Sequence, residues 1–148
     1  MVQFLVSAGA NIYDVPCNGT AYAPIQAAVM VGALDIVEYL LQNNVDVNTP
    51  PAVHQGRTAL QIAAQNGFNG IAHLLIGKGA DVNASPAECL GRTAFEAAAE
   101  NGRIEMLMYL VEQGADIVSD GGHQYRNSLF FAESEGHKGV KLYVEEVY

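Results

Sequence analysis

The stretch Gln55-Gly56-Arg57-Thr58-Ala59-Leu60-Gln61-Ile62-Ala63-Ala64-Gln65-Asn66-Gly67 decides the fold, because it returns 35 residues later as Leu90-Gly91-Arg92-Thr93-Ala94-Phe95-Glu96-Ala97-Ala98-Ala99-Glu100-Asn101-Gly102. In each copy a glycine permits a turn, and a threonine hydroxyl is placed to cap a helix start. A run of small apolar residues follows, and a second glycine stops it. The looser copy Ala23-Pro24-Ile25-Gln26-Ala27-Ala28 ends on Gly32 and carries its proline in the first helical turn, where proline is tolerated. Beyond Gly67 a second helical pattern runs roughly from Gly70 to Gly77, with Ile71, Leu74, Leu75 and Ile76 on a core-facing stripe. Gly79 ends it, and Ala80-Asp81-Val82-Asn83 leads into an extended arm through Ser85-Pro86.

The same step organises the whole chain. Gly32, Gly67 and Gly102 stand 35 apart, and Gly136 follows 34 later. Asn11-Ile12, Asp46-Val47-Asn48, Asp81-Val82-Asn83 and Asp116-Ile117 keep the period. A fixed repeat of this length specifies a stacked, quasi-one-dimensional architecture whose units bury their apolar faces on their neighbours. The expectation is an all-α solenoid of helix-turn-helix repeats with extended, hairpin-like arms. It forms one domain over 1–148: a half repeat over 1–16, full repeats over about 17–54, 55–89 and 90–122, and a degenerate capping repeat over 123–148.

Composition narrows the function. Of 148 residues 50% are hydrophobic and 16% charged, which is ample for a core. No run approaches the roughly 18 apolar residues that a membrane span needs. The net charge of −9, with twelve acids against six bases in residues 75–148, opposes binding to nucleic-acid phosphates. Cys17 and Cys89 lie two repeats apart, which argues against a disulfide framework and for a reduced, intracellular compartment, cytoplasmic or nuclear.

Ala63-Ala64, Gly67, Leu74-Leu75 and Gly79 to Asn83 resemble the ankyrin repeat, and the pattern covers nearly the whole chain. The resemblance implies a hairpin-like turn followed by two antiparallel helices, and a protein-binding role. Two departures stand out. The family's helix-start proline is Ala59 or Ala94, and its histidine is Gln26, Gln61 or Glu96, a position that in the family knits repeats together by hydrogen bonds. Glutamine can donate and accept in the same place. The period also exceeds the usual 33 or so, with the extra residues in the arms 49–54 and 84–89. The Arg-Thr-Ala-Leu-Gln style with proline-bearing arms is similar to arrays in large fungal proteins. Asn48 and Asn83 sit in a context that asparaginyl hydroxylases modify in some family members; in physical terms such an asparagine ties down its turn.

No catalytic constellation is written here, and no cofactor or metal site is expected. Glu96 and Glu100 share a helix face, but acid-base chemistry on a glycoside needs a cleft between two carboxyls. His54, Cys89 and His123 recur in successive arms, which stacked units hold too far apart to share one ion. Gly77-Lys78-Gly79 falls at a helix end, where lysine complements the dipole, and not at a phosphate-binding helix start.

What remains is a binding surface. A solenoid of this kind offers its arm tips and the exposed face of its first helices, which line a concave groove. The candidate partner-contacting residues are His54, Gln55, Gln61, Gln65, Glu88, Leu90, Glu96, Glu100, His123 and Phe130, with a protein or peptide carrying a basic segment as the expected partner. Val2, Phe4 and Leu5 begin mid-repeat with no first helix to cover them, which makes that apolar end a candidate dimer contact. The last helix, with Lys138, Lys141, Glu145 and Glu146, reads as a polar cap. Two other roles fit the sequence: a C-terminal sensor or targeting segment of a larger multidomain protein with an upstream enzyme or NTPase, or a self-stacking structural module.

Overall fold

The computed structural model describes residues 11–13, 22–51, 56–119 and 121–148. These hold eight helices and no extended strand. They are α1 (Pro24–Met30), α2 (Leu34–Gln42), α3 (Ala59–Asn66), α4 (Asn69–Gly77), α5 (Ala94–Glu100), α6 (Ile104–Glu112), α7 (His123–Ser134) and α8 (Lys138–Val147). Each odd-numbered helix pairs with the even-numbered helix that follows it. The odd helices also stack on one another in the order α1, α3, α5, α7, which makes the solenoid.

Local chemistry sets each unit. The Thr58 hydroxyl accepts from Gln61 N at 3.2 Å while Gln61 Oε1 accepts from Thr58 N at 3.0 Å, and Thr93 and Glu96 repeat this reciprocal cap. Ala23 cannot offer an oxygen, so α1 keeps only half of it, Gln26 Oε1 accepting from Ala23 N. The odd helices end on Gly32, Gly67, Gly102 and Gly136, all at positive φ between 70° and 76°. Phe68 N then donates to Ala63 O, Arg103 N to Ala98 O and His137 N to Ala132 O, which fixes the structural register between units.

The alanines of α3 and α5 let these helices approach closely. Ala63, Ala64, Ala98 and Ala99 are wholly buried between units. Behind them Val37, Leu40, Ile71, Leu75, Met106, Leu107, Leu110, Val140 and Val144 form one continuous core along the stack. The last unit departs from its predecessors. Gly121 and Gly122 both take positive φ, and α7 starts early and runs 12 residues, against 7 for α5. Its start is closed by the Tyr125 ring stacked on Tyr148 at 3.9 Å.

Candidate functional site

The inter-repeat joints come first, because they decide which polar residues remain for a partner. Gln26 Nε2 donates to Thr49 O and Pro50 O, and Gln61 Nε2 donates to Ala84 O and Ser85 O at 3.0 and 3.2 Å. Each amide therefore caps its own helix with its oxygen and anchors the next arm with its nitrogen. Glu96 has no N–H to give, so its Oε1 instead accepts from Asn127 Nδ2 at 2.7 Å. Gln61 is 1% exposed and Glu96 5%. Both were expected on the partner-facing surface and are not there; they are interior bonds of the stack. Glu96 and Glu100 likewise form no pair of acids, since Glu100 is held by Arg92 at 3.2 Å.

A second ladder runs through the asparagines. Asn48 Nδ2 donates to Gly79 O and its Oδ1 accepts from Asp81 N; Asn83 does the same with Gly114 O and Asp116 N. These side chains tie one unit to the next, while the local turns are held by Asp46 and Asp81, whose carboxylates accept from Asn48 N and Asn83 N. Tyr13 stands one period before Asn48 and uses its phenol, donating to Asn43 O at 2.8 Å.

The exposed remainder gathers on one side of α5 and α7. Leu90, at an arm tip, is 69% exposed and sits at φ 58°, a left-handed conformation that a branched side chain rarely adopts. Beside it the Arg92 guanidinium lies 4.0 Å above the Phe131 ring and also binds Glu100. Phe130, 66% exposed, meets Phe131 edge to face at 5.7 Å. Glu88 and Cys89 are exposed on the same arm, and Gln65 is half-buried at the end of α3. His123 is exposed but opens α7, with its Nδ1 3.2 Å from Arg126, and so belongs to a helix rather than to an arm tip as expected. The Gly121-Gly122 pair moves the helix start back to meet it. His54 and Gln55, and the N-terminal Val2, Phe4 and Leu5, lie outside the described residues.

Among the described residues no three His, Cys, Asp or Glu side chains converge as a metal site would require. Among these residues no helix is long and apolar enough to cross a membrane. Two clefts, of about 320 and 300 Å³, are open grooves on α4 and α6, lined by Asn69 and Glu105 among others. Sequence reasoning missed the Arg92–Phe131 contact and Asn127. The second had a signal: a glutamate where two repeats carry glutamine requires a new donor nearby.

The stacked helix pairs, glycine-capped turns and inter-repeat side-chain ladders define a repeat solenoid. The chain belongs to the ankyrin-repeat family: the family's model, ankyrin repeats (3 copies), matches residues 1–86 and 26–121. Repeats of this family are protein-interaction modules and are as a rule non-catalytic. No curated protein matches the chain.

Proposed function

We propose that this chain is a non-catalytic binding module whose concave side, between the 88–90 arm tip and α7, takes a peptide segment of a protein partner. Leu90 carries the reading. A left-handed backbone costs an L-residue roughly 1–2 kcal/mol, and here that strain holds a large apolar side chain in water, where the folded chain gains nothing from it. Strain retained at an exposed loop tip is a property of binding surfaces. Glu88 and Glu100 supply negative charge, in a chain of net charge −9, for a basic flank on the partner.

The reading is tested with a displayed peptide library selected on the 148-residue chain. Basic peptides with an apolar anchor are the expected winners, and Leu90→Gly should weaken them about tenfold or more while raising stability by about 0.5–1 kcal/mol as the strain is released. Enrichment of acidic peptides, or binding indifferent to Leu90→Gly and Glu100→Gln together, would sink it.

A further inference from the structure

The glycines that end α1, α3 and α5 are each a seat for a side chain from the next unit. A Cβ at Gly32 would lie 3.1 Å from Phe68 Cζ, one at Gly67 2.9 Å from Arg103 Cδ, and one at Gly102 2.8 Å from His137 Nδ1. In every case the occupant is the residue just past the next turn glycine, and in every case it ends in a flat group. A Cβ at Gly136 would meet nothing within 4 Å. Around it a cleft of about 220 Å³ is lined by Ala132, Glu133, Gly136, Lys138 and Lys141.

Two exposed apolar side chains share that face. By the register of the helix-end bonds, Phe130 takes the place of Gln26, Gln61 and Glu96, the position that reaches toward the following unit. Leu142 takes the place of His73, whose ring packs 3.9 Å from Tyr109 of the following unit. Among the described residues nothing stacks on the far side of α7 and α8, and Phe130 and Leu142 are 66% and 68% exposed. The expected polar cap is thus only partial: Lys138 and Lys141 share the surface with both.

We infer that this end of the solenoid associates with a second copy of the chain about a two-fold axis, the Phe130 ring of each copy seated on Gly136 of the other. The face carries both halves of the joint, an empty glycine seat and an unburied flat side chain, which is what an isologous contact requires. Phe68 on Gly32 shows within the same chain that a phenyl ring fits such a seat. Charge permits it: residues 123–148 carry four acids and three bases, so most of the net −9 lies elsewhere and like-charge repulsion at this end is small. The concave strip of Leu90 and Arg92 is not required for the contact, so the two surfaces can fail separately.

Sedimentation velocity on the 148-residue chain, from low-micromolar to sub-millimolar concentration, tests this. A monomer–dimer equilibrium is expected, weakened about tenfold or more by Phe130→Ala and by Leu142→Glu. Gly136→Asn should weaken it too, because asparagine tolerates positive φ and places a side chain in the seat. Thermal unfolding at low concentration should be near parental for Phe130→Ala and Leu142→Glu, since both side chains are exposed in the monomer. Val31→Glu, at an exposed apolar residue far along the stack, should leave the dimer intact. A monomer at every concentration overturns the inference, as does a dimer that survives all three end-face substitutions.

Discussion

Gln61 and Phe130 occupy the same place in two repeats, two residues before the alanine whose carbonyl closes the helix end, yet they live in opposite surroundings. Gln61 is sealed by the arm that follows it, its amide nitrogen bound to that arm and its oxygen to its own helix start. Phe130 has no following arm among the described residues and stands in water. Glu96 lies between them in sequence and in chemistry: it is still buried and still caps its helix, but it must borrow Asn127 because the amide nitrogen is gone. The series shows that one helix position acts as a joint wherever a next unit exists, and becomes surface where none does. Its polarity follows that change.

Replacing the two ends of the series should therefore give very different results. Gln61→Leu leaves Thr58 N and the carbonyls of Ala84 and Ser85 without their partner in a buried place, and should lower unfolding free energy by about 3 kcal/mol. Phe130→Leu should change it by less than about 0.5 kcal/mol. Urea denaturation followed by circular dichroism measures both, and near-equal losses would break the comparison. The middle case is sharper. Glu96→Gln exchanges a charged acceptor for an amide, so Asn127 must turn its own amide over to accept, and losing the charge-assisted bond should cost about 1 kcal/mol. Adding Asn127→Asp places a charged acceptor opposite the new amide nitrogen and should recover most of that loss, a coupling that a double-mutant cycle isolates.

The architecture was legible because it rests on backbone punctuation. Glycines at a constant step and Thr58 and Thr93 at helix starts fix the units whatever their surfaces do. The surface was less legible, for a physical reason. On a short helix the strip that faces the groove and the strip that faces the next unit are one or two residues apart, and both accept polar side chains. Gln61 and Glu96 therefore read as exposed when only the next arm, packed over them, decides that they are not. His123 was placed at an arm tip because nothing in the local sequence says that Gly121-Gly122 will start a helix early. Arg92 over Phe131 joins residues 39 apart and depends on side-chain placement that no periodicity encodes. The shift from a step of 35 to 34 at Gly136 was visible, and followed through it sets Phe130 opposite Gln61.

The asparagine ladder separates interior from end in a milder way. Asn83→Ala removes the bonds to Gly114 O and Asp116 N, both exposed to competing water, and should cost about 1 kcal/mol. Val118 holds the next place in that series, where the ladder stops, so Val118→Asn should change stability by less than about 0.5 kcal/mol. Equal effects at the two sites would mean that the ladder adds nothing to the joint.

The smallest effect belongs to the arm that leads into the last repeat. The Asp116 carboxylate accepts from the Ser119 hydroxyl and from the backbone N–H groups of Ser119 and Val118, and these bonds hold its pKa below the usual aspartate value. A folded-state pKa below the unfolded one gives a contribution that is fully present above the unfolded pKa and fades as pH falls through the folded pKa. The parent chain should therefore lose this part of its stability on acidification below about pH 4. Asp116→Asn keeps an acceptor oxygen but has no charge to lose, so its acid limb should be flatter and should converge on the parent's at the lowest pH. Melting temperatures taken across that range decide it. Parallel curves would mean that the turn is held by backbone geometry alone. The full exposure of Asp116 makes this the weakest lever of the set, and the one that reports most locally on how the last arm differs from the arms before it.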